Sequence, residues 1–226
     1  MDFLDHAQSI LSLIGQGCHR LSEIAARLGK PATSLTRPLG RLLELDLIIR
    51  EIPFGADERS GKKSRYRLAD TFMGFWFRFV QPNRSQLDMA PVSLTHRSIQ
   101  AEFSQHVAGV FESLARLSVP HLSIAGQSWG AAGRWWGNGL DGKPMEIDIV
   151  SASTDGAALL LGEAKISTST SEIKGILSKL KEKASLLPYG RNYQRVVVAI
   201  FSARSQAHDE SVVTPEMLLK ALKDSG

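Results

Sequence analysis

The chain predicts an α/β protein, α+β overall, in which a three-helix module closed by a two-stranded hairpin precedes an α/β/α sandwich. Three observations carry this. Apolar residues recur at helical spacing through residues 4–45, then give way to two short β-rich runs at 47–52 and 65–68. Residues 145–166, MEIDIVSASTDGAALLLGEAKI, read as two strands joined by a turn. Around that ribbon the order is helix, three strands, helix, strand, helix, which suits a sheet covered on both faces.

With 226 residues the chain allows one large or two small domains, and its 43% hydrophobic content excludes a disordered protein. The divisions expected are 1–70, a connecting segment at 71–95, and 96–226. One cysteine, Cys18, excludes an internal disulfide and a cysteine-based zinc site. The amino end, MDFLDHAQ, lacks the basic and apolar parts of a signal peptide. No apolar run approaches the roughly 18 residues of a membrane span. A cytoplasmic protein with no membrane partner is expected.

In the first module Leu4, Ala7, Ile10, Leu11 and Ile14 form a helix ended by Gly15 and Gly17. Ser22 is the expected N-cap of a second helix stopped by Gly29. A third runs from about Ala32 to Leu45, entered through GKPAT with Thr33 or Ser34 capping. Two residues sit awkwardly: Pro38 inside that helix requires a later start or a kink, and Asp46 stands where a glycine is usual. The phrase LSEIAARLGKPATSLTRPLGRLLELDLI with its hairpin resembles a winged helix-turn-helix. That resemblance implies DNA contact by Thr33, Ser34, Thr36, Arg37 and Arg41, with the wing residues Arg59, Lys62, Lys63 and Arg65 on backbone phosphate. Residues 20–67 hold eleven Lys or Arg against six acids, a surplus of +5 in a chain of net +4. The basic excess therefore sits on this module, although many winged helices bind protein instead.

Phe72, Phe75, Trp76 and Phe79 make a helical stripe, read either as a base-stacking platform or as a wedge between domains. A long helix is expected over Ile99 to Leu117. Trp135 and Trp136, adjacent in a strand, face opposite sides, one in the core and the other toward a groove or an interface. Ser171 and Glu172 cap a helix whose lysines 174, 179, 181 and 183 lie outside. Residues 196–201 read as a strand buried on both faces, and Thr214, Pro215 and Glu216 begin a last helix. The six histidines are scattered with no metal-ligand spacing, and no fingerprint for a nucleotide or other small-molecule cofactor occurs.

Chemistry concentrates in the ribbon. A turn near Asp155 brings Asp148 within a pair or two of Glu163, and a period of two puts Lys165 on the face of Glu163. Two carboxylates resist joint ionisation, and a bound cation reverses that preference. Magnesium or manganese, taking the Asp148 and Glu163 carboxylates and the Ala164 carbonyl, would suit such a site, with Lys165 orienting a water. The plain alternative is a cross-strand salt bridge.

EID, a turn and GEAK resemble the core of the PD-(D/E)xK, restriction-endonuclease-like nucleases. With GRWWG at 133–137 and TFMGFWFRFVQPNRS at 71–85, the likeness extends to the carboxy-terminal region of archaeal-type AAA+ ATPases, though no Walker A motif is present. The resemblance implies a metal-dependent deoxyribonuclease in which Glu112 completes the site, with Glu146 a second acid on the Asp148 strand. The competing expectation is a non-catalytic DNA-binding regulatory or docking module. Its partners would be an AAA+ ATPase or a second copy of the chain.

Overall fold

Residues Ala7, Ile10, Leu11 and Ile14 fall on one face of α1 (Phe3–Gly15) and are buried together. The computed structural model describes residues 3–57, 61–89, 92–204 and 209–223. The chain divides into two compact units, residues 1–52 with 56–106, and residues 53–55 with 107–226. The boundary falls at 106/107 rather than near 95, because the helix expected to open the second domain starts earlier and runs through it.

In the first unit α2 (Leu21–Leu28) is not capped by Ser22, which already lies in its first turn. Glu23 reaches back instead, accepting the N–H groups of His19 (3.1 Å) and Arg20 (3.0 Å). Residues Ala32–Leu35 form a 3₁₀ turn, with the Ser34 hydroxyl on the Pro31 carbonyl at 2.7 Å, and α3 begins only at Thr36 (Thr36–Glu44). Thr33 and Ser34 therefore do not cap α3. The later start resolves Pro38: in the first helical turn it has no intrahelical N–H bond to lose. Asp46 closes α3 in the left-handed region at φ 53°. Strands β1 (Ile48–Glu51) and β2 (Arg65–Leu68) pair antiparallel, Ile48 opposite Leu68 and Glu51 opposite Arg65. The core joins α1, α2, α3 and this hairpin through Ile10, Ile14, Ile24, Leu35, Leu39, Leu42, Ile48 and Tyr66.

The aromatic stripe is re-phased. After α4 (Thr71–Phe75), capped by Asp70 on the Met73 N–H at 2.8 Å, the chain widens into a π-helical turn over Trp76–Val80. Phe77, not Trp76, consequently enters the core of this unit, and Phe79 is buried while Phe72 and Trp76 stay exposed. Gly15 permits the close approach of α1, since a Cβ there would lie 2.5 Å from that of Phe77. A short α5 (Arg84–Met89) precedes α6 (Val92–Ser118).

The second unit is an α/β sandwich on a five-stranded sheet. A small hairpin, β3 (Ser123–Ile124) with β4 (Gln127–Ser128), turns on Ala125 and Gly126, both at positive φ. The sheet contains β5 (Gly133–Asn138), β6 (Pro144–Ala152), β7 (Ala158–Lys165), β8 (Arg195–Ser202) and β9 (Val212–Val213), in that spatial order. The first three are antiparallel, and β7, β8 and β9 are parallel. The crossover between β7 and β8 is α7 (Thr170–Leu186), and α8 (Pro215–Lys223) follows β9.

Ala115 of α6, Val119 of the 3₁₀ turn that follows it, and Leu218 and Ala221 of α8 pack with Ile149, Leu160 and Phe201 on one face. Leu180 and Leu187 pack with Trp135, Ile147, Val150 and Leu161 on the other. Trp135 and Trp136 are both buried, so neither lines an open groove. The N-cap of α7 is Ser169 rather than Ser171, with Glu172 returning to the Ser169 N–H (2.9 Å) and hydroxyl (2.6 Å). Among the described residues no helix is long and apolar enough to cross a membrane.

Candidate functional site

The site begins with a miscount between two strands. Gly133 lies opposite Val150 and Trp135 opposite Ile147, so Arg134 of β5 faces both Asp148 and Ile149 of β6. This β-bulge bends β6 and re-aims Asp148. On its other edge β6 pairs with β7 as far as Ile149 opposite Gly162. One further step in that register sets Asp148 against Glu163. There the ladder gives way to a side chain, and Asp148 Oδ2 accepts the Ala164 N–H at 3.1 Å. Gly162 keeps the strands close beside the acids, since a Cβ there would lie 2.9 Å from the Phe201 ring and 3.0 Å from Ile149 Cβ.

Lys165 Nζ donates to Glu163 Oε1 at 2.9 Å, and the lysine side chain remains 42% exposed against 19% for the glutamate. Three groups not anticipated as part of the site join it. Lys183 of α7 donates to the Glu146 carbonyl at 2.8 Å and lies 3.5 Å from Glu163 Oε2. Arg116 of α6, only 10% exposed, donates to the Asp148 carbonyl at 3.0 Å and stands 3.9 Å from Glu112. Arg134 pairs with Glu146 at 3.1 Å and with Glu112 at 3.9 Å, while its Nε is buried without a hydrogen-bond partner. Glu112, Glu146, Asp148 and Glu163 thus face Arg116, Arg134, Lys165 and Lys183, a cluster with no net charge.

Lys183 was expected on the outer face of α7 with its neighbouring lysines. It lies instead on the row Leu180, Lys183, Leu187, flanked by two buried leucines, and that spacing is the signal that could have found it. Glu112 and Arg116 of α6 and Val119 just beyond its end form a similar row.

Burial first, and then the charge of Glu163, hold the Asp148 carboxyl above the usual carboxylate range, against the opposing Ala164 N–H, Arg134 and Lys165. Burial and the Asp148 charge raise Glu112 likewise. Burial alone would pull Lys165 down. The hydrogen bond and charge of Glu163, with Asp148 and Glu112, outweigh it and leave the amine above its ordinary value. Lys165 is therefore an ammonium, equipped to donate and orient but not to accept a proton. Among the described residues no group of three or more His, Cys, Asp or Glu is placed to hold a metal ion. Oxygen chemistry here amounts to two adjacent carboxylates and nearby backbone carbonyls.

In the first unit Thr33 and Ser34 of the 3₁₀ turn and Thr36, Arg37 and Arg41 of α3 are all exposed. Arg41 pairs with Glu44 at 3.0 Å, a surface contact worth about 0–1 kcal/mol that leaves it available to a stronger anion. Lys63 is exposed and Arg65 half-buried in β2. Arg59 lies outside the described residues, as does the side chain of Lys62.

A family described as "Archaea bacterial proteins of unknown function" matches residues 76–176, which include Glu112, Asp148, Glu163 and Lys165 but not Lys183. An uncharacterised protein of Methanocaldococcus jannaschii is 30% identical over 184 residues, covering 80% of this chain and 40% of that protein. The chain therefore spans less than half the length of this curated relative. No solved structure matches.

Proposed function

We propose that this is a DNA-binding protein whose second unit hydrolyses phosphodiester bonds with magnesium or manganese. One observation carries the reading: Asp148 and Glu163 oppose each other where the β6–β7 ladder ends, with the Lys165 ammonium exposed on the same rim. The residues present fit a hard cation. Burial and mutual repulsion raise Asp148, and a positive ion reverses that penalty. The ligands at hand, Asp148, Glu163 and the Ala164 carbonyl, are all oxygen, a small protein share of the kind magnesium accepts while keeping its waters. Bound there, the ion would supply Lewis-acid stabilisation of charge on the phosphate.

The chain's own groups would do the rest. Lys165 would hold the attacking water or a phosphate oxygen by donation. Glu112, raised by burial, stands next to Asp148 to relay a proton. Arg116 would keep the bulge in shape through the Asp148 carbonyl. In the first unit, α3 with Arg37 and Arg41 presents exposed polar and basic residues on a three-helix and hairpin scaffold. That order supports the winged-helix reading and a DNA partner.

Nicking of supercoiled plasmid tests the proposal. Lys165→Ala and Asp148→Ala are expected to abolish metal-dependent nicking while a mobility shift with DNA is unchanged. Absence of nicking by the intact chain with any divalent metal overturns it. A second reading, a non-catalytic DNA-binding or docking module of a longer AAA+ ATPase, draws on the charge balance of the cluster, which is complete without an ion.

A further inference from the structure

We propose that Lys183 is a resident counter-cation of this site: it neutralises Glu163 in the metal-free protein, competes with a divalent cation for that carboxylate, and so sets the metal concentration at which the site fills. The inference rests on the metal-binding reading above and adds its regulation.

Both oxygens of Glu163 are engaged by ammonium groups, Oε1 by Lys165 at 2.9 Å and Oε2 by Lys183 at 3.5 Å. Each oxygen keeps a second lone pair, but a cation taking this carboxylate would stand against an ammonium group on either side, and their repulsion favours the release of one lysine. Lys165 has the shorter contact and is held further by the charges of Asp148 and Glu112. Lys183 has the longer one, and its 2.8 Å bond to the Glu146 carbonyl keeps it beside the site after Glu163 is released. Lys183 is therefore the group that gives way. Its freed donors stay within reach of a phosphate.

The sign of its removal follows from two opposed effects. Losing a unit positive charge a few ångströms from the site favours a divalent ion. Losing one restraint on the Glu163 rotamer disfavours it. At this range, between groups that are mostly buried, the charge effect is the larger.

Manganese(II) titrated into the full chain, followed by calorimetry or by the loss of its free-ion resonance, tests this without any turnover. Lys183→Met is expected to bind about tenfold more tightly than the wild type, equivalent to about 1.4 kcal/mol. Lys183→Arg keeps the charge and is expected to bind as the wild type does. Binding by Lys183→Met that is equal to or weaker than wild type, with an unchanged circular dichroism spectrum and melting temperature, overturns the inference. If neither chain binds the ion, the metal reading falls and takes this one with it. Binding by Lys183→Met alone supports the competition at its strongest.

Discussion

Replacing Asp148 by asparagine should stabilise the metal-free protein while removing its response to metal. Directly opposed positions of an antiparallel pair hold their Cβ atoms about 4.5–5.5 Å apart. Two ionised carboxylates at about that separation repel by about 3 kcal/mol at an effective dielectric of about 20. Lys165, Lys183 and Arg134 offset most of this, and burial adds to what is left, so the residual strain is about 1 kcal/mol. The carboxamide keeps an oxygen for the Ala164 N–H and abolishes the repulsion.

In chelator, Asp148→Asn should therefore melt about 2–4 °C above the wild type. In manganese at about a hundred times its dissociation constant the wild type gains about 2.7 kcal/mol and the variant gains none, so the order of melting reverses. Circular dichroism melts with and without manganese measure both arms. A variant that melts below wild type in chelator, or that responds equally to manganese, refutes the reasoning.

The pH dependence has a definite sign. Asp148 and Glu112 are both held above the ordinary carboxylate value. Between that value and the raised one the folded chain binds more protons than the unfolded. Their contribution to metal-free stability thus falls as pH rises through the window, and Asp148→Asn should flatten that fall. The carboxyls held low, at Asp155, Glu172, Asp209 and Glu216, are common to both chains and cancel in the comparison.

Three other outcomes are expected. Arg37→Ala and Arg41→Ala should each weaken DNA binding across sequences and reduce the slope of log affinity against log salt by about one, read from mobility shifts at graded salt; unchanged slopes would remove α3 from the interface. Asp46→Gly relieves a left-handed aspartate and should gain about 0.5 kcal/mol, seen as a small rise in the melting temperature of the first unit. Gly15→Ala pits helix propensity, worth about 1 kcal/mol in favour of alanine, against a Cβ that would stand 2.5 Å from that of Phe77. The clash, about 1–3 kcal/mol, should win by up to about 2 kcal/mol, and a higher melting temperature would contradict the packing described.

The α/β class and the Asp148, Glu163 and Lys165 trio were legible because the ribbon carrying them is local: a turn at Asp155 sets the register of strands that adjoin in sequence. Arg116, Arg134 and Lys183 come from three other elements, and which side chains those elements deliver depends on packing angles that no short spacing encodes. Lys183 was further hidden among other lysines, whose company suggested a solvated face. Pro38 called for either a later start of α3 or a kink in it, and the 3₁₀ turn that decides for the later start left no separate mark. The π-helical turn at Trp76–Val80 defeated the aromatic stripe for a similar reason, because a period of 3.6 assigns Trp76 to the face that a wider turn gives to Phe77.

The bulge at Asp148 also shifts the phase of β6. Ile147 and Val150 share the layer beneath α7 although three positions separate them, while Ile149 between them belongs to the opposite layer. The strand is in effect two half-strands of opposite parity, spliced at an acidic residue. Excising Asp148 would restore unbroken pairing with β5 and leave Ile147 two positions from Val150, in the same layer by ordinary alternation. The extra residue therefore serves the rim and not the core, and a strand shortened there would keep its layers while exchanging a bent, charged rim for a straight edge.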